Sequence, residues 1–314
     1  MTFITIATAP KPFTNPHIST IQRNALQSWL HLGPDVEVFL VGDEAGMAEV
    51  AAEYGVRHLP NVVRNDRGTP LVSSIFNVTR QASSSPLMAF ANTDMLLMPD
   101  FIEAARKVYG QIENFLIVGT RWNLDVTELL DFSPGWDERL SARTKTQGSM
   151  HPPVGSDYFI FPRQCYQNIP NFAVGRPMWD NWMMYHARRQ RWPLIDVSMH
   201  VMVIHQSHDY SHLPGNRPPY HMPEALNNIK LAGGKRRYIS VGDADYELVD
   251  GQVRPMHLTW ARFWRSVEVF PVVKIDSYFL AEVFFAVFHP SKAWGEWRGR
   301  LVYKLRQLMG KNNA

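Results

Sequence analysis

Leu87-Met-Ala-Phe-Ala-Asn92-Thr93-Asp94-Met-Leu96 is the stretch on which the fold turns. Five uncharged apolar residues read as a buried strand, and Asn92 and Asp94, one residue apart, fall on one face of its C-terminal end. In open α/β sheets ligands bind at that edge. Two oxygen-bearing side chains there suit Mg²⁺ or Mn²⁺, hard cations that prefer oxygen and can carry a diphosphate. Asp94 is the expected direct ligand. The competing reading is a strand-end Asx pair that only caps the following turn, the commoner use of such a tripeptide taken alone.

Outward from this strand, short apolar runs alternate with segments of helical spacing, the order of an α/β fold with a mostly parallel sheet flanked by helices. Strands are predicted at 3–9, 36–41, 56–59 and 115–119, and helices at about 19–32, 45–54, 71–82 and 99–112. Regularity fades over 121–154, a polar stretch too long for an ordinary connection, which reads as a functional loop or a small subdomain. A strand at 158–161, a helix at 179–189, and a strand or pair of strands over 194–204 follow. Pro214, Gly215, Pro218, Pro219 and Pro223 mark a long loop before helix-forming residues at 224–231. No internal repeat is visible.

The composition narrows the function classes. With 45% hydrophobic and 12% aromatic residues in 314, the chain is neither disordered nor of low complexity. Its 32 Lys and Arg against 29 Asp and Glu leave +3, too even for nucleic-acid binding over the whole surface. The single cysteine, Cys165, excludes an internal disulfide, reads as a buried inert thiol, and makes a reducing, cytoplasmic setting the simpler expectation. The first residues do not read as a secretory signal. The most apolar run, 278–288, is interrupted by Glu282 and falls short of the roughly 20 residues a spanning helix needs, so no transmembrane segment is expected.

Three further groups carry chemistry. Gly175-Arg-Pro-Met-Trp179-Asp180-Asn-Trp182 reads as a loop entering a helix, with Asp180 in the first turn. Taken alone this is a first-turn Asp favoured by the helix dipole beside two core tryptophans, or a carboxylate able to accept a proton beside two rings with open faces. Val203-Ile-His205-Gln-Ser-His208-Asp209-Tyr-Ser-His212 is an apolar strand ending in a dense polar cluster, able to complete a metal shell, build a zinc site alone, or simply hydrogen-bond within a loop. Gly155-Ser-Asp157-Tyr158, just before a predicted strand, and Arg121-Trp-Asn-Leu-Asp125 are weaker candidates for the rim of a pocket.

The order of these features resembles nucleotide-sugar glycosyltransferases of the GT-A fold, over about residues 3–210. The resemblance rests on the strand end Thr8-Ala9-Pro10, the strand ending Val41-Gly-Asp43, the helix with Asn77 leading into a strand, and Asn92-Thr93-Asp94 where the family has Asp-x-Asp. The first acid of that motif is Asn here. The resemblance implies a GT-A (Rossmann-like) domain, with residues 1–120 binding the nucleotide sugar, 121–255 forming the acceptor-binding and catalytic half, and 256–314 a C-terminal helical extension. It places Thr8, Ala9 and Asp43 at the nucleoside, Asp66 and Arg67 near base or diphosphate, Asn77, Asn92 and Thr93 on the donor side, and Asp157, Trp179 and Trp182 on the acceptor side. Asp94 with His205 or His208 would hold Mn²⁺ or Mg²⁺, and Asp180 would be the base of an inverting reaction.

The implied activity is a metal-dependent transfer of a sugar from a nucleotide diphosphate sugar to a hydroxyl of a glycan or glycolipid, as in polysaccharide biosynthesis, with no nucleic-acid partner. The rivals are a metal-dependent hydrolase built on His205, His208, Asp209 and His212, and a non-catalytic sugar-binding protein. The tail from Met256 differs in character: six Lys and Arg against Glu296 alone lie between Lys292 and Lys311, interleaved with Trp294 and Trp297. Such a segment suits peripheral contact with the inner face of an anionic membrane, or packing on the domain or on a second copy in a homodimer.

Overall fold

The computed structural model describes residues 2–208 and 222–311, with side chains described to residue 302 except that of 300. It divides into two compact units, Met1–Gly234 with Tyr238–Met256, and Lys235–Arg237 with His257–Ala314.

The larger unit opens with β1 (Ile4–Thr8), α1 (Pro16–Leu30), β2 (Val36–Val41), α2 (Met47–Tyr54), β3 (Arg57–Leu59), α3 (Val72–Ala82) and β4 (Leu87–Ala91). Local chemistry sets these boundaries. The Asn15 side chain caps α1 by accepting from the Ile18 amide (3.1 Å) just ahead of Pro16, and α2 stops at Gly55, whose φ of 64° is left-handed. Next come β5 (Met95–Leu97), α4 (Asp100–Tyr109), β6 (Leu116–Val118), β7 (Trp122–Leu124), α5 (Trp136–Gln147), β8 (Ser149–Met150) and β9 (Tyr158–Pro162). The unit closes with α6 (Trp179–Arg189), β10 (Leu194–Asp196), β11 (Val203–Gln206), α7 (Pro223–Leu231), β12 (Tyr246–Val249) and β13 (Gln252–Pro255).

Nine strands form the main sheet in the order β13-β12-β10-β6-β9-β4-β1-β2-β3. It is parallel except at β9, antiparallel to both neighbours, and at the edge strand β13. Every residue of β1, β4 and β9 is buried, as expected where helices cover both faces of a sheet. A smaller sheet, β5-β11-β7-β8, stands at the edge to which β4 points. Trp29 of α1 fixes this second sheet: fully buried, it donates from Nε1 to the Met95 carbonyl at 2.9 Å.

Most expected elements are present, and the differences have identifiable causes. The irregular 121–154 segment contains β7, α5 and β8. The polar α5 buries only Trp136, Leu140 and Thr144, four residues apart, too thin a stripe to stand out from its charged surface. The 194–204 region is two strands in different sheets, and the β12–β13 hairpin went unnoticed. Its turn is Asp250-Gly251, both at positive φ (50° and 73°), a pairing that marks two-residue hairpins in sequence. The smaller unit comprises α8 (Trp260–Phe270), a π-helical turn Pro271–Ile275, α9 (Tyr278–Phe288) and α10 (Pro290–Lys311).

Candidate metal centre and cleft

Parallel pairing of β1 with β4 brings their C-terminal ends side by side. Thr8 and Thr93 meet there through a buried hydroxyl–hydroxyl bond of 2.7 Å, which ties the turn after β4 to the end of β1. Asp94 follows. Its carbonyl accepts from the Gln206 amide at 3.0 Å, and the antiparallel register of β5 with β11 sets His205 opposite Met95. The register therefore carries both histidines to the Asp94 carboxylate, with Nε2 of His208 at 3.0 Å and Nε2 of His205 at 3.8 Å from Oδ2. One ligand atom from each residue can be chosen so that all lie within 4.8 Å of one another.

The electrostatics of this triad suit a cation. Burial opposes ionisation of Asp94, but the His208 hydrogen bond and the nearby His205 and Lys11 outweigh it and hold the carboxyl well below the usual carboxylate range. Burial lowers His205 against the pull of Asp94, favouring the neutral imidazole a metal needs. Asp94 Oδ1 and His205 Nδ1 are buried without a hydrogen-bond partner, an unusual state that a bound ion or water would relieve. The residues present thus fit a divalent cation.

A cleft of about 450 Å³ opens over this edge, lined among others by Ala9, Lys11, Asn92, Thr93, Asp94 and His208. Lys11, three residues past the end of β1, lies 3.3 Å from His208 Nε2, and burial lowers its amine against the pull of Asp94. Arg176 also lines the cleft and pairs with Glu224 at 2.8 Å. Neither cation was singled out from sequence. The available signals were a Lys shortly after the β1 end and an Arg in the loop before Asp180.

The loop after β3 reaches the cleft through Gly68 and Thr69. Its shape comes from Asn65, whose side-chain oxygen accepts from the Arg67 and Thr69 amides at 2.9 and 3.0 Å. Asp66 and Arg67 are exposed and do not line the cleft. Asp43 is exposed too, bound to Arg64 at 2.6 Å, while its neighbour Glu44 lines the cleft. Asn77 sits on the outer face of α3, where it accepts from Arg80 at 3.4 Å, away from the cleft lining.

On the other side of Asn92 lies an acidic pair. Asn92 donates from its side chain to Asp157 Oδ1 and from its backbone to the Asp157 carbonyl, both at 2.9 Å, and Arg121 forms an ion pair with the same carboxylate. Asp180, in the first turn of α6, projects over Gly155. A Cβ on that glycine would lie 3.0 Å from Asp180 Oδ2. Burial, with the charge of Asp157 adding to it, pushes Asp180 up to about 6. Asp157 and Asp180 are not among the residues that line the cleft, and neither are the two tryptophans flanking Asp180, which are buried. Trp179 packs edge-on to Phe90 with centroids 5.2 Å apart, and Trp182 stacks on His186 at 4.7 Å. Asp209 and His212 lie outside the described residues. Cys165 is fully buried and its thiol is pushed up to about 12 by burial, which leaves it unreactive.

No protein-family model matches the chain, and no curated protein matches it. Among solved structures it is similar to glucosyl-3-phosphoglycerate synthase from Mycobacterium tuberculosis in complex with Mn²⁺, uridine diphosphate and phosphoglyceric acid. That similarity is 16% identity over 74% of this chain and 79% of the other, with a TM-score of 0.47. The same synthase with Mg²⁺ and uridine diphosphate gives 16% identity, 74% and 80% coverage, and 0.47. S. aureus TarS 1–349 in complex with UDP-GlcNAc is 12% identical over 40% of this chain and 35% of its own, with a TM-score of 0.29.

Proposed function

We propose that the protein is a metal-dependent glycosyltransferase, moving a sugar from a nucleotide diphosphate sugar to a hydroxyl acceptor with inversion. The observation that carries this reading is the Asp94, His205 and His208 triad, with its buried, unpartnered oxygen and nitrogen, at the strand edge that floors the cleft. A mixed nitrogen and oxygen donor set suits Mn²⁺ better than Mg²⁺. A cation held there would offset the charge that grows on the departing diphosphate.

The remaining roles belong to the chain. Lys11 and Arg176 present positive charge to the phosphates, and Gly68 and Thr69 offer backbone and hydroxyl groups in the same cleft. Asn92, bonded to Asp157, spans from the donor side to the acceptor side. The acceptor oxygen bonds to the anomeric carbon as the bond to the diphosphate breaks, and its proton passes to the Asp180 carboxylate. A group raised to about 6 is ionised at neutral pH yet basic enough to take that proton. Asp157, already paired with Arg121, fixes the geometry around it. Asp43 would meet the nucleoside, and Asp66 and Arg67 the base or diphosphate, only where the donor extends past the cleft, since all three are exposed outside its lining.

The test is incubation with a panel of nucleotide diphosphate sugars and Mn²⁺, following nucleotide release with and without hydroxyl acceptors, for the wild type and Asp94→Ala. Acceptor-stimulated release by the wild type alone supports the transferase. Release indifferent to every acceptor favours the hydrolase, and donor binding without release favours a sugar-binding protein.

A further inference from the structure

The smaller unit turns many of its large apolar side chains outward. Its buried side chains, among the described residues, include Val269, Val272, Val273 and Ala281, and with them the guanidinium of Arg236, whose side chain is 9% exposed. Arg236 lies 3.4 Å over the ring of Phe285 and forms ion pairs with Glu282 at 3.3 Å and Glu296 at 2.6 Å. The large apolar groups are outside. In α8 they are Trp260, Phe263 and Trp264; in α9, Phe279, Val283 and Val287; in α10, Trp294, Trp297 and Leu301.

Phe263 and Trp264 follow Trp260 by three and four residues, and the steps in α9 and α10 are three or four, so each helix turns an apolar stripe outward. Trp260, Phe279 and Val287 are each more than 70% exposed. Helices in water place such stripes inside and ion pairs outside. The arrangement here fits a medium less polar than water on the outer side.

We infer that this unit docks on an anionic lipid bilayer, lying in the headgroup region. The charge pattern selects that occupant. Between Lys292 and Lys311 the sequence carries six Lys and Arg, and its one acid, Glu296, is spent on Arg236. Two copies meeting through this face would bring like charges together, whereas an anionic surface complements them. Exposed tryptophans flanked by Lys292 and Arg298, both exposed, match the amphipathic depth where indole rings and basic groups settle together. No helix among the described residues is long and apolar enough to cross a membrane, so the unit lies on the bilayer.

Flotation of the full-length protein tests this without any need for activity. The wild type should float with vesicles of phosphatidylcholine mixed with phosphatidylglycerol, less with phosphatidylcholine alone, and less again in high salt. Phe279→Ser/Val283→Ser/Val287→Ser should lower the partition constant by at least about tenfold on every vesicle, and Lys292→Gln/Arg298→Gln by about tenfold on anionic vesicles alone. All five positions are exposed, so both variants should keep the wild-type circular dichroism. Absence of wild-type flotation, or undiminished flotation of the triple variant, overturns the inference. A lipid-free dimer that the triple variant dissociates, with no flotation, assigns the face to a second copy instead.

Discussion

At Asp180 the surroundings set the pH range in which the proposed base would work. Burial and the charge of Asp157 raise this carboxyl to about 6, so the ionised form that can accept a proton accumulates as pH rises through that value. With Mn²⁺ saturating, kcat/KM should show an acid limb near 6. Asp180→Asn, which keeps the shape but not the basicity, should lower turnover by roughly 10²–10⁴-fold and abolish the limb while leaving donor affinity unchanged in calorimetry. Near-normal turnover in that variant would make Asp180 a helix-start residue only. Asp94 was legible in the sequence because an apolar strand ends on it, and His205 because a second strand does. Lys11 was not, since nothing local distinguishes a Lys after a strand from a solvated one. Its significance comes from His208, brought within 3.3 Å from almost 200 positions away by the β5–β11 pairing.

At the level of elements, the antiparallel insertion of β9 between β4 and β6 decides which residues face the centre. Because Ala91 pairs with Tyr158, the residues just before β9 arrive at the edge where β4 ends, setting Asp157 against Asn92 and Gly155 beneath Asp180. Gly155→Ala puts a methyl 3.0 Å from Asp180 Oδ2, forcing the carboxylate to yield by a few tenths of an ångström. Displacements of that order matter for a positioned base, so kcat should fall about tenfold or more with little change in donor affinity or thermal midpoint. A KM effect alone would show that Gly155 serves binding. The sequence shows β9 as an apolar run but not its direction, because a buried strand has the same pattern whichever way it runs. Nor does it separate the packed faces of Trp179 and Trp182 from faces offered to a sugar. What covers those rings comes from two other elements, Phe90 of β4 and Phe159 of β9, from Phe172 in the loop before α6, and from His186 one turn along α6 itself.

Over the whole molecule, binding and protonation should both register as stability. A cation that binds the folded chain at Asp94, His205 and His208 stabilises it by mass action, about 2.7 kcal/mol at 100 times its dissociation constant. Scanning calorimetry should therefore show a midpoint that rises with Mn²⁺ concentration in the wild type and stays fixed in Asp94→Ala. A second, independent effect comes from Asp100, pushed up to about 6 mainly by burial, with Oδ2 accepting from the Met202 amide at 3.0 Å and Oδ1 buried without a partner. The unfolded chain ionises this group near its ordinary value of about 3.9, the folded chain only near 6, so its contribution falls as pH rises between the two and stays low above. Asp100→Asn should leave the protein more stable than wild type at pH 8 and lose that advantage near pH 4. Equal differences at both pH values would show that Asp100 is not raised.

The reversed direction of β9 also governs how this protein comes off a ribosome. Until Tyr158–Pro162 has emerged, β4 offers Leu87–Ala91 as a bare, wholly apolar sheet edge, while the intervening chain has only its contacts with α1 and the residue after it, at Trp29, Asn24 and His31, to hold it. The pairing is long-range, so it is slow relative to the local β1–α1–β2 closure, and the nascent amino-terminal half is the stage most exposed to edge-to-edge association. Slower synthesis across that interval should therefore lower the yield of soluble protein, and a chaperone able to shield an unpaired edge should restore it.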